Sequence, residues 1–198
     1  MHTIRDPIVP FTENLNENLR VGSKITVHGK PHDHHGHSQD FAVELLSGPN
    51  TILHVNFRFA HGHHKEKIVV VNSYVDGSWG HEERFHNPIH HEQNFVVAIE
   101  VHADHYTIGV DGDSIGTFPH RIPFFTVQAV GVKGEANVEE VRFEGFESYS
   151  NWGQGVDLGH SGFIGYGTEV YNPPTFNQDH PHHEHFRRHR RGSNSDSD

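Results

Sequence analysis

The chain has 198 residues, of which 33% are hydrophobic and 23 are histidine, with no cysteine and a formal net charge of −11 at pH 7. Its length allows one domain with a substantial core, and the lack of cysteine excludes disulfides and thiolate metal sites. The negative charge argues against a general nucleic-acid binder, and no apolar run is long enough for a signal peptide or a membrane span. We expect one soluble domain made in a reducing compartment.

Short runs of β-branched and aromatic residues recur along the chain with turn signals between them, whereas helical periodicity is hard to find. The predicted strands, in chain order, cover residues 24–29, 40–46, 51–59, 67–73, 83–86, 94–102, 106–111, 114–119, 125–134 and 138–146. The dipeptide Asp111-Gly112 is a tight hairpin signal between two of them. About ten strands in one domain predict an all-β fold, with two antiparallel sheets packed as a sandwich.

From about residue 148 the composition changes to Gly, Asn and aromatic residues, followed by a His/Arg stretch and a Ser/Asp end. Such low complexity predicts a flexible tail over residues 148–198. The run "RRHRR" at 187–191 could bind anionic glycans, nucleic acid or a membrane surface, although a solvated tail is the safer interpretation.

The segment "ILHVNFRF" at residues 52–59 carries polar side chains at alternate positions of an otherwise apolar strand. Because strand side chains alternate between faces, His54, Asn56 and Arg58 share one face and the apolar residues share the other. Most polar strand faces are plain solvated surface. Here the three side chains form an array of hydrogen-bond donors and acceptors on a rigid platform.

A second polar set follows in "VVVNSYVDGSWGHEERF". Asn72 ends an apolar strand, Trp79 lies in a glycine-rich setting, and Glu82 and Arg84 share one face of the next short strand. With the small residues Gly77, Ser78 and Gly80 around it, Trp79 is expected to show one ring face to solvent. A flat aromatic ring among polar groups suits a ligand that is half apolar and half polar.

A pyranose is such a ligand, and galactose fits best because its axial 4-hydroxyl gathers C–H bonds into one apolar patch. His54 and Arg58 can read the 4-hydroxyl, Asn72 and Glu82 can take the 6-hydroxyl, and Glu82 with Arg84 can hold a second sugar. Glucose would leave His54 and Arg58 unpaired, which costs about 1–3 kcal/mol for a buried group. Selectivity for galactose follows from this geometry.

The motifs H-x-N-x-R at 54–58, V-x-N at 70–72 and W-G-x-E-x-R at 79–84 together resemble the galectin carbohydrate-recognition domain, and the likeness spans roughly residues 10–146. Phe57 stands where the family most often has proline. The resemblance implies a concanavalin A-like jelly roll and a lectin, not an enzyme, that binds β-galactosides of the lactose or N-acetyllactosamine type without calcium or another cofactor. The residues it implies as sugar contacts are His54, Asn56, Arg58, Asn72, Trp79, Glu82 and Arg84.

We accordingly expect an N-terminal arm at 1–9, a carbohydrate-recognition domain at 10–147 and the tail at 148–198. The expected partners are β-galactoside glycans of glycoproteins or glycolipids, with no specific nucleic acid and no membrane insertion. A homodimer or weak self-association would raise the avidity of a single shallow site. The resemblance also implies a cytoplasmic protein that is exported to the extracellular space without a signal peptide.

Two other classes of function stay open on the sequence. A sandwich glycosidase needs two carboxylates facing each other, but the neighbouring Glu82 and Glu83 point to opposite faces of a strand. A metal-binding protein is suggested by histidine clusters at 32–37, 61–64, 90–91 and 180–185, although histidine runs in loops usually bind metal loosely. Protonation of the same clusters near pH 6 could instead change adhesion or self-association.

Overall fold

The computed structural model describes residues 1–34, 37–38, 40–60 and 66–147. Apart from one short 3₁₀ helix, η1 (Phe124–Thr126), the regular elements of these residues are β-strands. The first eight strands are β1 (His2–Arg5), β2 (Phe11–Asn14), β3 (Lys24–Pro31), β4 (Asp33–His34), β5 (His37–Ser38), β6 (Phe41–Ser47), β7 (Asn50–Phe57) and β8 (Ile68–Val75). The others are β9 (Ser78–Trp79), β10 (Glu83–His86), β11 (Phe95–Val101), β12 (His105–Val110), β13 (Asp113–Pro119), β14 (Ala129–Gly134) and β15 (Ala136–Glu144).

Two antiparallel sheets enclose the core. The six-stranded sheet has the order β1-β15-β3-β11-β12-β13, and the seven-stranded sheet has the order β10-β8-β7-β6-β14-β2 with β9 paired to β8. Strands β4 and β5 pair only with each other. The prediction of an antiparallel β-sandwich is confirmed.

Alternating side chains build the core between the sheets. Along β11, Phe95, Val97 and Ile99 are buried while the residues between them are partly exposed, as expected for a strand with one solvated face. The ring of Phe41 stacks on Phe57 of the same sheet, with centroids 4.9 Å apart, and on Phe95 of the opposite sheet, with centroids 4.7 Å apart. Phe57 therefore fills the core where the two sheets meet.

The hairpin predicted at Asp111-Gly112 is present between β12 and β13. Both residues have positive φ, 53° and 94°, which is the requirement of a type I′ turn. This turn aligns the two strands at the end of the six-stranded sheet.

The structure differs from the sequence expectation at several elements. The strand predicted over 125–134 begins only at Ala129, because Thr126 folds back onto Pro123: its amide and its hydroxyl both donate to the Pro123 carbonyl, at 3.0 and 2.7 Å. The predicted arm at 1–9 contains β1, which pairs with β15. The short strands β2 and β9 were not predicted either, since neither has a run long enough to show alternation.

Among the described residues, no helix is long and apolar enough to cross a bilayer. The predicted tail at 148–198 and the histidine clusters at 61–64 and 180–185 lie outside the described residues, as does "RRHRR" at 187–191.

Candidate functional site

Three adjacent strands of the seven-stranded sheet place most of the predicted site. In the register of β6, β7 and β8, Glu44 lies opposite His54, and His54 lies opposite Asn72. Cross-strand partners point to the same side of a sheet. The three side chains thus form one row on the face that is turned away from the core.

A second row lies beside the first. Asn56 is opposite Val70, which is opposite Arg84 on β10. Tyr74, two residues after Asn72 on β8, pairs with Trp79 on β9, so the indole lies on this face as well. The structure brings the predicted residues of β7, β8, β9 and β10 together on one side of the sheet.

Four of these residues are far more buried than an open surface array would be. Their relative exposures are 3% for His54, 0% for Asn56, 2% for Arg58 and 3% for Asn72. Buried polar groups are normally hydrogen-bonded, and here the site residues bond mainly to one another and to the backbone around them. Strand alternation alone gives the face of a residue but not its burial.

His54 is held through one ring nitrogen. Its Nδ1 lies 2.7 Å from Glu44 Oε1, and its ring centroid is 5.0 Å from that of Trp79. The other nitrogen, Nε2, is buried and has no hydrogen-bond partner in the described part of the chain. Such an orphaned polar atom beside an aromatic ring is a group that a ligand hydroxyl can satisfy.

Glu44 was not predicted as part of the site, although the alternation in "FAVELL" puts it on the same face as His54. Its carboxylate is 2.8 Å from the Lys133 ammonium on β14. Burial alone would raise the pKa of Glu44, but the Lys133 charge and the His54 hydrogen bond outweigh it and lower the pKa to about 2. The ionised Glu44 can only accept, so His54 donates from Nδ1, and a neutral imidazole then presents Nε2 as an acceptor.

Asn56 and Arg58 hold each other. Arg58 Nε donates to Asn56 Oδ1 at 2.6 Å, and Asn56 Nδ2 donates to the Phe41 carbonyl at 3.3 Å. Asn87 anchors the backbone of Arg58 by donating to its carbonyl at 2.9 Å. Both the side chain and the backbone of Arg58 are therefore held in place on the strand that carries His54 and Asn56.

Trp79 is half-buried, so the indole is neither sunk in the core nor fully open. Its ring lies 5.3 Å from that of Tyr74 at an interplanar angle of 57°. The turn before it contains Asp76 and Gly77, both with positive φ, which brings β9 back against β8. This packing leaves the indole at the edge of the polar rows.

Glu82 and Arg84 close the other side of the site. The Arg84 guanidinium donates to Glu82 Oε2 from Nε at 3.0 Å and from Nη2 at 2.7 Å. Arg84 is also 3.6 Å from Glu66. Glu83, in contrast, pairs with the core residue Val71, so the two neighbouring glutamates occupy opposite faces, as the strand alternation predicts.

A further residue that sequence reasoning missed is Arg121, which lies in the connection after β13. Its Nη1 donates to Asn72 Oδ1 at 2.8 Å. Asn72 and Arg121 are 49 residues apart in the sequence, so no local pattern could have shown the contact. Within the described ranges, no group of three or more His, Cys, Asp or Glu side chains is arranged to hold a metal ion.

Comparison with known proteins places this geometry in a family. The family model described as galactoside-binding lectin matches residues 10–143. The chain is 47% identical to "Probable galaptin lec-8" of Caenorhabditis elegans over 186 residues, which cover 94% of this chain and 100% of that protein. It is 32% identical to the "32 kDa beta-galactoside-binding lectin" of the same species over 143 residues, which cover 69% of this chain and 48% of that protein.

Solved structures show the same fold. The crystal structure of Caenorhabditis elegans galectin LEC-6 matches with a TM-score of 0.64 at 22% identity, covering 72% of this chain and 96% of that chain. The matched family model, the relatives and the shared sandwich agree with the resemblance carried by the sequence motifs. The chain belongs to the galactoside-binding lectin family, the galectins.

Proposed function

We propose that the protein is a calcium-independent lectin that binds β-galactosides in the site formed by His54, Asn56, Arg58, Asn72, Trp79, Glu82 and Arg84. The galactose ring stacks on Trp79 with its apolar C–H patch, and the polar rows of β7, β8 and β10 read its hydroxyls. A relative whose printed name is a β-galactoside-binding lectin supports the ligand class.

One observation carries the proposal more than any other. His54 Nε2 is buried beside the indole and has no partner among residues that the structure describes, while Nδ1 is engaged by Glu44. A hydroxyl that donates to Nε2 would satisfy this nitrogen, and in the proposal the same hydroxyl accepts from Arg58. The axial 4-hydroxyl of galactose can do both, whereas an equatorial hydroxyl at the same carbon would leave the buried nitrogen unpaired.

The carboxylates of the site support binding without hydrolysis. Glycoside hydrolysis needs one carboxyl group that is protonated as an acid and a second across the bond. Glu44 has a pKa of about 2 and is committed to Lys133 and His54, so it cannot supply a proton near neutral pH. Glu82 accepts two hydrogen bonds from Arg84, which suits it to hold hydroxyls.

The test uses the fact that the chain has two tryptophans. Fluorescence is titrated with lactose in the presence of a chelator for wild type, Trp79→Ala and Trp152→Ala. We expect a response in wild type and in Trp152→Ala, because Trp79 is the reporter in the site, and none in Trp79→Ala. A response that depends on Trp152 and survives the loss of Trp79 would contradict the assignment.

A glycan array tests the polar contacts. We expect Arg58→Ala to lose binding to galactose-terminated glycans, while the control Arg142→Ala, on the six-stranded sheet, retains it. Equal binding by both variants would show that Arg58 does not read the sugar. Release of free galactose from a galactoside over hours would show hydrolysis and refute a purely binding role.

The carriers of the glycan, the self-association of the protein and its location are proposals as well. Glycoproteins or glycolipids are the proposed carriers of the ligand, and self-association is the proposed source of avidity. Both cytoplasmic and extracellular locations are proposed, on the family resemblance alone.

A further inference from the structure

We propose that Arg121 is a positioning residue for recognition of the sugar 6-hydroxyl, because it fixes the two groups that face that hydroxyl, Asn72 and Glu82. The inference rests on the proposed function, since it concerns the same site. Arg121 does not contact the sugar itself in this proposal. It acts through the Asn72 amide and through the segment that carries Trp79 and Glu82.

The Arg121 guanidinium bridges two parts of the site. From Nη1 it donates to Asn72 Oδ1 at 2.8 Å and to Ser73 Oγ at 3.3 Å, both on β8. From Nη2 it donates to the carbonyl of His81, the residue before Glu82. One planar group thus ties β8 to the loop between β9 and β10.

The guanidinium packs close to Phe118 and to Gly80. Its central carbon lies 4.4 Å from the centroid of the buried Phe118 ring, a cation–π contact that orients the plane. Gly80 is also close to the guanidinium, because an added Cβ there would collide with Arg121 Nη1 and would lie 3.1 Å from Asn72 Oδ1. Glycine at this position is therefore what lets the arginine approach the asparagine.

These contacts decide which way the Asn72 amide points. Oδ1 accepts from Arg121 and from the Ser73 amide, the latter at 2.8 Å, and Nδ2 donates to the Gly80 carbonyl at 2.9 Å. A flipped amide would face two donors with its own NH₂ group. With both lone pairs of Oδ1 used, Asn72 offers a ligand one N–H and no acceptor.

Glu82 supplies the complementary acceptor. A 6-hydroxyl can accept from Asn72 Nδ2 and donate to the Glu82 carboxylate, which is a matched pair of hydrogen bonds. Both partners depend on Arg121, the first through Oδ1 and the second through the His81 carbonyl. If the guanidinium is lost, the Asn72 amide keeps its bonds to Ser73 and Gly80 but loses one of the three hydrogen bonds that orient it. The His81 carbonyl next to Glu82 loses its side-chain donor.

The experiment compares ligands that differ by single hydroxyls. Affinities for methyl β-galactoside, its 6-deoxy analogue and its 4-deoxy analogue are measured for wild type, Arg121→Lys, Gly80→Ala and the control Arg142→Lys. In wild type the 6-deoxy analogue should bind about threefold to tenfold more weakly, as for loss of one hydrogen-bonded hydroxyl. In Arg121→Lys the full ligand should weaken by a similar factor, and the 6-deoxy penalty should fall below about twofold.

Gly80→Ala should show the same loss of the 6-deoxy penalty, because its methyl group displaces the guanidinium while leaving Arg121 in the chain. The 4-deoxy penalty should stay at its wild-type value in both variants, because His54 and Arg58 read that hydroxyl. Arg142→Lys should keep all three affinities. Each penalty is a ratio within one variant, so a partly unfolded sample does not alter it.

The outcomes distinguish a failure of galactoside binding from a failure of the role proposed for Arg121. If wild type binds none of the three galactosides, the proposed function fails. If wild type binds but Arg121→Lys and Gly80→Ala weaken all ligands by one common factor, Arg121 is only structural and the inference is overturned. An unchanged 6-deoxy penalty in both variants, or none in wild type, overturns it as well.

Discussion

The acid dependence of stability should change when Glu44 is replaced by Gln. The pKa of Glu44 is lowered from 4.5 to about 2 in the folded protein, a difference of about 2.5, and each pKa unit corresponds to about 1.4 kcal/mol. The ionised side chain then contributes roughly 3 kcal/mol relative to its protonated form. Because the folded pKa is the lower one, this contribution is present above about pH 4.5 and is lost as the pH falls towards 2.

By pH 3 the lost part amounts to about 2 kcal/mol. We therefore expect the free energy of unfolding of wild type to fall by about 2 kcal/mol more between pH 7 and pH 3 than that of Glu44→Gln. Urea unfolding followed by circular dichroism at pH 7, 5, 4 and 3 measures both curves. Glu139→Gln, which changes an exposed carboxylate, is the matched control and should follow wild type.

Parallel curves for wild type and Glu44→Gln would refute the reasoning, because they would mean that Glu44 titrates at the same pH in the folded and unfolded chains. A Glu139→Gln curve that departs from wild type as much as Glu44→Gln does would show that any lost carboxylate has this effect. In either case the Lys133 and His54 contacts would not be what keeps Glu44 ionised.

Three other substitutions test the fold and the site. Phe57→Ala should lower the free energy of unfolding by about 3–5 kcal/mol in urea because it empties the aromatic stack, while Phe57→Leu should cost clearly less; equal costs would argue against the stack. Gly112→Ala should cost about 1 kcal/mol in thermal unfolding. A Cβ at position 112 meets no atom within 4 Å, so the expected cost comes from the positive φ alone. An unchanged midpoint of thermal unfolding would therefore mean that the turn does not keep this positive φ. Lys133→Met should destabilise the protein by about 3–5 kcal/mol at pH 7 by leaving Glu44 buried without its cation, and the loss should shrink at pH 3; a constant loss across that range would contradict the ion pair.

The sequence was sufficient to predict the sandwich and the face on which the polar residues lie, because both follow from alternation along single strands. It was also sufficient for Asp111-Gly112, where two residues determine a turn. The burial of Asn56 and Arg58 could not be predicted from the sequence, because it depends on the residues that pack around them in the folded protein.

Glu44 and Arg121, which support the site residues, also could not be identified from the sequence alone. Glu44 lies on a predicted strand, and its alternation with Val43 and Leu45 marks its face, but only the register of β6 against β7 reveals its pairing with His54. Arg121 belongs to no alternating pattern in the sequence. It follows a strand of the six-stranded sheet, whereas its partner Asn72 lies on β8 of the seven-stranded sheet. Contacts of this kind need the folded chain.

The close approach of Arg121 to Gly80 has an evolutionary consequence. A side chain at position 80 and a guanidinium at position 121 compete for one volume, so added bulk at position 80 favours a smaller or redirected side chain at position 121. Across the lineage of this chain the two positions should vary as a pair, and a relative that gains bulk at the first should have shortened or redirected the second.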